Sequence, residues 1–313
     1  MISATTPTSA AVKIEKTQYA GWPNCYRISN GEIELVVTTD VGPRVIRYGF
    51  VGGQNLFKEF TEQSGKSGES SWQARGGHRL WIAPEDPVLS YALDNSPIKA
   101  EIKGALIELT GGVEPQTELQ KQMIVRMAAS GSDVEVVHRI TNHAGKAREF
   151  GPWSLTMMAQ RGVAIVAFPP RGTHPKDLMP TNPLVMWAYT DFSDKRWQFT
   201  KKYLMLRQDP KNPSPQKTGL FNSDTVAAYA LGTDLFIKRS TAKDARKQPD
   251  FGCSFETFTN DQFLELETLG EVSNVRPGGA VEHTERWSLH RGARISTWTD
   301  TELDRVLLPL LKP

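Results

Sequence analysis

Only two cysteines, Cys25 and Cys253, occur in the 313 residues. So few exclude a disulfide scaffold, and they form no CxxC pair for metal or redox chemistry. One bridge between them and two lone buried thiols are both open readings; the second is the simpler. Histidine is scarce too, six in all. His78 and Glu85 share one segment and His283 and Glu285 one strand face, but no compact triad of ligands emerges, so no metal site is expected. Net charge is nearly absent, with 37 basic residues against 35 acidic. That balance gives nucleic acid or an anionic membrane no general hold. No apolar run approaches the roughly 20 residues that span a bilayer. The opening MISATTPTSAAVKIEK lacks a basic n-region and an apolar h-region. Residues 1–23 are therefore expected to form a flexible tail, and a cytoplasmic location is favoured. P-loop, dinucleotide glycine fingerprint, GxSxG and HExxH are also missing.

What is present is strand and turn. With 39% hydrophobic residues the chain can bury a large core, and residues 24–313 read as a single domain. Ile33, Leu35 and Val37 alternate with Glu32, Glu34 and Val36, a half-buried strand, and Arg44–Phe50 follows after a turn. A meander is expected over Ile98–Leu109, Glu118–Met127 and Asp133–Thr141, with turns at Gly111-Gly112 and Ser130–Ser132. Phe150–Met158, Val163–Phe168, Thr225–Leu231 and Leu235–Arg239 continue the pattern. Residues 169–220 carry many prolines and read as loops, with Trp187, Tyr189, Trp197 and Tyr203 either lining a site or pinning a crossover. Asp300 is placed to cap a short helix bearing Leu303, Val306, Leu307 and Leu310. This spacing predicts an all-β fold, a large antiparallel β-sandwich with a few short helices.

The stretch from Phe263 to Leu289 carries most of the chemistry. It reads as two strands joined by the Pro277-Gly278-Gly279 turn. Leu264, Leu266 and Thr268 share a core-like face; Phe263, Glu265, Glu267 and Leu269 share the other. On the return strand Val281, His283, Glu285, Trp287 and Leu289 share a face. Paired carboxylates can be a solvated face, but the flanking Phe263 and Leu269 supply an apolar setting that raises a carboxyl pKa. Glu267 is the candidate general base and Glu265 its companion at the substrate. The segment RGGHRLWIAPED, residues 75–86, reads as a loop with a matching set. His78 titrates near neutrality as the catalytic partner, Arg75 and Arg79 can fork onto hydroxyls or an anion, and Trp81 can stack on a sugar ring. His138 reads as a sheet-face histidine and His143 as an exposed turn residue.

These segments resemble the galactose-mutarotase-like superfamily of aldose 1-epimerases and hexose-6-phosphate 1-epimerases. YRISNGEIELVVTTDVGPRVIRYGF is similar to its opening strands. ARGGHRLWIAPED is similar to the RGG segment of the phosphosugar branch, and FLELETLGE to the strand bearing the catalytic glutamate, with Glu267-Thr268 at that position and Leu269 in place of a glutamine. The resemblance spans residues 24–290. It implies a β-supersandwich whose concave sheet binds a small-molecule sugar or oligosaccharide, with no cofactor. Two departures stand out. The family histidine after the meander is missing from GPWSLTMMAQRG (151–162), and His78-Arg79-Leu80 replaces the phosphosugar branch's Ile-Pro. The reading is a carbohydrate-active protein of the cofactor-independent aldose 1-epimerase kind. A non-catalytic carbohydrate-binding protein is the alternative, and a sugar lyase or hydrolase a more distant one, since two carboxylates on one strand do not flank a glycosidic bond.

Overall fold

The structure, a computed structural model, describes residues 11–311. Its first strands are β1 (Lys13–Tyr19), β2 (Trp22–Ser29), β3 (Ile33–Thr38), β4 (Arg44–Phe50), β5 (His78–Ala83), β6 (Lys99–Lys103) and β7 (Leu106–Val113). Next come β8 (Leu119–Met127), β9 (Val134–Asn142), β10 (Arg148–Met158), β11 (Val163–Ala167), β12 (Leu184–Met186), β13 (Trp197–Phe199) and β14 (Tyr203–Arg207). The last are β15 (Gln216–Leu220), β16 (Asp224–Leu231), β17 (Asp234–Thr241), β18 (Phe255–Thr259), β19 (Leu264–Leu269), β20 (Ser273–Val275) and β21 (Ala280–His290), before the helix α1 (Asp300–Leu307).

Eleven strands form one antiparallel sheet, in the order β1-β2-β3-β4-β5-β10-β19-β18-β15-β12 with β20 beside β10. Ten form the other, β13-β14-β11-β16-β17-β21-β9-β8-β7-β6. Alternation gives each strand an inward face, and the inward faces meet in a shared core. Leu35, Val37, Leu264 and Leu266 from the first sheet pack with Met123, Val125, Val136 and Trp287 from the second. The all-β sandwich expected from the strand spacing is what forms.

The 263–289 stretch keeps both of its predicted faces but is not a hairpin. β19 pairs with β10 and β18, whereas β21 pairs with β17 and β9 in the opposite sheet. The chain changes sheets between them, so the Leu266–Thr268 face looks across the sandwich at the His283–Trp287 face.

Several other expectations shift. Residues 1–10 of the expected tail lie outside the described residues, but residues 13–19 form β1 and residues 22 and 23 begin β2, with Val12 and Ile14 against the core. β3 is buried on both faces, because Val36 packs with Trp22, Cys25, Val41 and Ile46 on its outer side. The 98–109 run breaks into β6 and β7 around Gly104, and Gly111-Gly112 sits inside β7 at a register shift, a bulge rather than a turn. The proline-rich 169–220 region contains four short strands, β12 to β15. Thr299, not Asp300, caps α1, its hydroxyl accepting from the Glu302 N–H. Both cysteines are free and buried.

Segment 75–86, read as a loop, contains β5, a central strand between β4 and β10. Its charged residues masked a period of two. The preceding glycines make its entry feasible. Gly76 and Gly77 have φ of +77° and +71°, and a Cβ would lie 2.0 Å from the Lys58 carbonyl oxygen at the first and 2.3 Å from that of Val45 at the second.

Candidate active site

Register decides which side chains meet. Across β5, β10, β19 and β18, Arg79 pairs with Leu155, Leu155 with Glu267, and Glu267 with Glu256. One residue over, His78 pairs with Thr156 and Thr156 with Leu266. Paired residues share a face and neighbouring rows alternate. Arg79, Trp81, Glu265, Glu267 and Glu256 therefore lie on the outer face of the eleven-stranded sheet, while His78 points into the sandwich. The expected partnership of His78 with Glu267 across one pocket is not what the register provides.

The outer face holds a cavity of about 310 Å³. Strand residues Arg79, Trp81, Trp153, Leu155, Met157, Lys217 and Glu265 line its floor, and Phe60, Trp72, Glu85, Tyr91 and Tyr189 from connecting segments form its walls. Aromatic rings brace one another: Trp81 lies 5.4 Å from Trp153, 5.5 Å from Trp72 and 4.7 Å from Tyr91. The Arg79 guanidinium sits over Trp81 at 4.3 Å and Trp72 at 5.0 Å, which fixes its plane. Its NH2 group donates to Glu265 Oε1 at 3.3 Å.

Glu265 is 6% exposed. Burial pushes its carboxyl up to about 7, with Arg79 opposing and the Glu267 charge reinforcing the shift. Glu267, the expected base, lies beneath the cavity and is fully enclosed. Its Oε2 accepts from Trp153 Nε1 at 2.9 Å and from Lys217 Nζ at 3.1 Å. Lys217 Nζ also lies 2.7 Å from Glu256 Oε2, between the rings of Trp153 and Trp187, each 4.7 Å away. One ammonium thus faces two buried carboxylates. Burial, against the opposing pull of Lys217, drives the Glu256 carboxyl well above its ordinary value, and the Glu267 charge adds to this. The two glutamates hold Lys217 well above the usual amine range against its own burial.

The interior face of the same strands carries a second polar group. His138 Nδ1 donates to the His283 carbonyl at 3.0 Å, so its Nε2 is bare and takes the proton of His78 Nε2 at 2.6 Å. Thr156 Oγ1 completes His78 from the other side at 2.8 Å. Glu285 accepts from Thr268 Oγ1 at 2.5 Å and Trp287 Nε1 at 2.7 Å, and pairs with Lys238 Nζ at 2.9 Å. Burial lowers the pKa of His78 and His138, and takes His283 to about 3. His78, His138 and Glu285 bring their ligand atoms within 4.8 Å of one another, a grouping that sequence spacing did not reveal. The two histidines satisfy each other, Glu285 is satisfied by Thr268, Trp287 and Lys238, and the ion pair is balanced, so the cluster reads as a bridge between sheets.

Arg75 also leaves the cavity. Its guanidinium donates to the Lys66 carbonyl at 2.8 Å and pairs with Glu69, fastening the 61–74 segment. A cavity of about 360 Å³ beside the second sheet is lined by Arg126, Glu135, Arg239 and Arg286. Arg126 and Arg286 are largely exposed there, so solvent screens them.

No family model matches the sequence, and no curated protein does. Solved structures do. The Slr1438 protein from Synechocystis sp. PCC 6803 superposes with a TM-score of 0.60 at 10% identity, over 88% of this chain and 99% of that one. A galactose mutarotase related enzyme from Lactobacillus acidophilus gives 0.55 at 10%, over 86% and 98%. The chain has the galactose-mutarotase-like fold. A galactose mutarotase-like protein from Lactobacillus casei extends the likeness, with a TM-score of 0.56 at 10% identity over 85% and 100%. Within this fold the register brings together Arg79, Trp81 and Glu265 of the residues singled out from sequence, with Glu267 just beneath. It excludes Arg75 and His78. Lys217, Glu256 and Trp153 escaped the sequence reading. Trp153 lay in the segment noted for lacking a histidine, and alternation from Leu155 would have placed it on the outer face. No local signal marks Lys217, on a five-residue strand following a run of prolines. Among the described residues no helix is long and apolar enough to cross a membrane.

Proposed function

We propose that the outer-face cavity binds an uncharged sugar and carries out acid–base chemistry at its anomeric carbon, with Glu265 as proton acceptor. Glu265 carries this reading: it is the carboxyl lining the cavity that is both buried and pushed up to about 7. A base poised near neutrality suits removal of a proton from a sugar hydroxyl. Glu85, the other lining carboxylate, is exposed. The rings of Trp72, Trp81, Trp153, Tyr91 and Tyr189 offer faces for the apolar side of a pyranose. Arg79 and Lys217 are each matched by carboxylates, so neither is left over for a phosphate. In the reaction Glu265 takes the O1 proton, C1–O1 becomes a carbonyl, and C1–O5 breaks with its electron pair on O5, which is protonated. Rotation about C1–C2 and reclosure give the other anomer. This scheme uses no cofactor, and the fold's likeness to a galactose mutarotase related enzyme agrees with it.

A second reading, a carbohydrate-binding protein without catalysis, is favoured by one observation: among the described residues no histidine lines the cavity. Polarimetry of fresh α-anomers of glucose and galactose separates the two. Glu265→Gln should slow mutarotation at least about a hundredfold and change affinity little, since Gln still hydrogen-bonds hydroxyls. Wild type that binds an aldose in calorimetry but accelerates none supports the binding protein. Equal rates for wild type and variant remove Glu265 from the mechanism.

A further inference from the structure

The proposed reaction needs an acid for the ring oxygen, and every histidine of the interior cluster faces away from the cavity. Lys217 lines the cavity in the row of Glu265, two strands away through Phe258. Backbones there are about 10 Å apart, with Phe258 between them in the cavity lining. Behind Lys217, Glu256 and Glu267 are direct cross-strand partners. Glu256 Oε1 and Glu267 Oε1 are buried and accept no hydrogen bond, while Glu256 Oε2, also without a hydrogen bond, is ion-paired with Lys217. Side chains so paired have Cβ atoms about 5 Å apart, within reach of a hydrogen bond between carboxyls. One proton between them supplies the missing partner of both atoms and leaves one negative charge for one ammonium.

We infer that Lys217 is the acid partner of Glu265 and that Glu256 reloads it from a proton shared with Glu267. This rests on the sugar reading above. As C1–O5 breaks, the electron pair stays on O5, which takes a proton from Lys217 Nζ. Glu256 passes its proton to the resulting amine, while Glu265 holds the O1 proton. Reclosure reverses all three transfers, so the cycle gains and loses no proton. Lys217 is a catalytic residue in this scheme; Glu256 acts through it. The groups facing Glu256 are Lys217 on β15, Glu267 on β19, and Asp250 and Cys253 from the segment before β18; Asp250 and Glu267 both favour its protonated form.

Two measurements test this. Infrared spectra at about pH 9, where Glu265 is ionised, should retain a protonated-carboxyl band that Glu256→Gln removes. In polarimetry Lys217→Met should lower the rate at least about a hundredfold. Glu256→Gln should lower kcat without a matching rise in KM, and Glu256→Asp, which keeps an ionisable carboxyl, should recover part of the loss. A missing band, or one indifferent to Glu256→Gln, overturns the shared proton. An active wild type with Lys217→Met equally fast overturns the relay alone, leaving Glu265 in place. A wild type inert towards every aldose overturns the reaction and the relay together, while the band still decides the shared proton.

Discussion

β19 separates two buried lysine–glutamate clusters that differ in one respect. On its interior side one ammonium, Lys238, meets one carboxylate, Glu285, and both oxygens of Glu285 have partners. Lys238 further donates to the Leu266 carbonyl at 3.0 Å, tying the second sheet to the strand that bears Glu265 and Glu267. On the outer side one ammonium, Lys217, meets two carboxylates whose remaining oxygens are unpartnered. A balanced, saturated cluster has no reason to change protonation state, and it fixes geometry. An unbalanced one holds a proton that is available to move. Perturbed carboxyls concentrate where chemistry is done, although ion-pair networks perturb pKa values too, and here the balance of charge tells the two cases apart.

The sharpest way to break the comparison is the same substitution on each side. Glu285→Gln strands Lys238 as a buried unpaired charge and should cost about 3–5 kcal/mol. Glu256→Gln replaces a neutral acid by a neutral amide of the same shape and should cost under about 1 kcal/mol. Urea denaturation at pH 7 reads both; equal losses would erase the distinction.

A smaller effect lies in the pH dependence of stability. His78, His138 and His283 have folded values below their ordinary 6.5. As pH falls below about 6.5 the unfolded chain takes up these protons first, and stability is lost. Glu265 and Glu256 are raised, so between about pH 4.5 and 6.5 the folded chain holds protons that the unfolded one has released, and they oppose the loss. His290 is lowered by burial as well and adds to the loss, so the histidines outnumber the opposing carboxyls and stability falls through this window, by up to about 1.4 kcal/mol per pH unit for each excess proton. Glu256→Gln removes one opposing carboxyl and should steepen the slope. Stability that stays level from pH 6.5 to 4.5 would contradict the burial of neutral histidines.

Much of this was legible from parity alone. The leucine face of β19 and the His283–Trp287 face of β21 followed from alternation, and so did the common face of Glu265 and Glu267. What alternation could not show was that these strands belong to different sheets, because that depends in part on partners more than a hundred residues away, β10 for one and β9 for the other. The same parity argument, applied to HRLWIA, places Arg79 and Trp81 on one side and His78 on the other. Reading that charged segment as a loop concealed it. Glu256 and Lys217 join Glu267 only through the β15–β18–β19 register, which local sequence does not encode.

The central claim is that Glu265, on the floor of a sugar cavity, titrates near neutrality. Site-resolved NMR titration of the Glu265 carboxyl, with and without glucose or galactose, tests it most directly. The account predicts a midpoint of about 7 that moves when sugar is added. A midpoint at the ordinary glutamate value of about 4.3, unmoved by sugar, would contradict it.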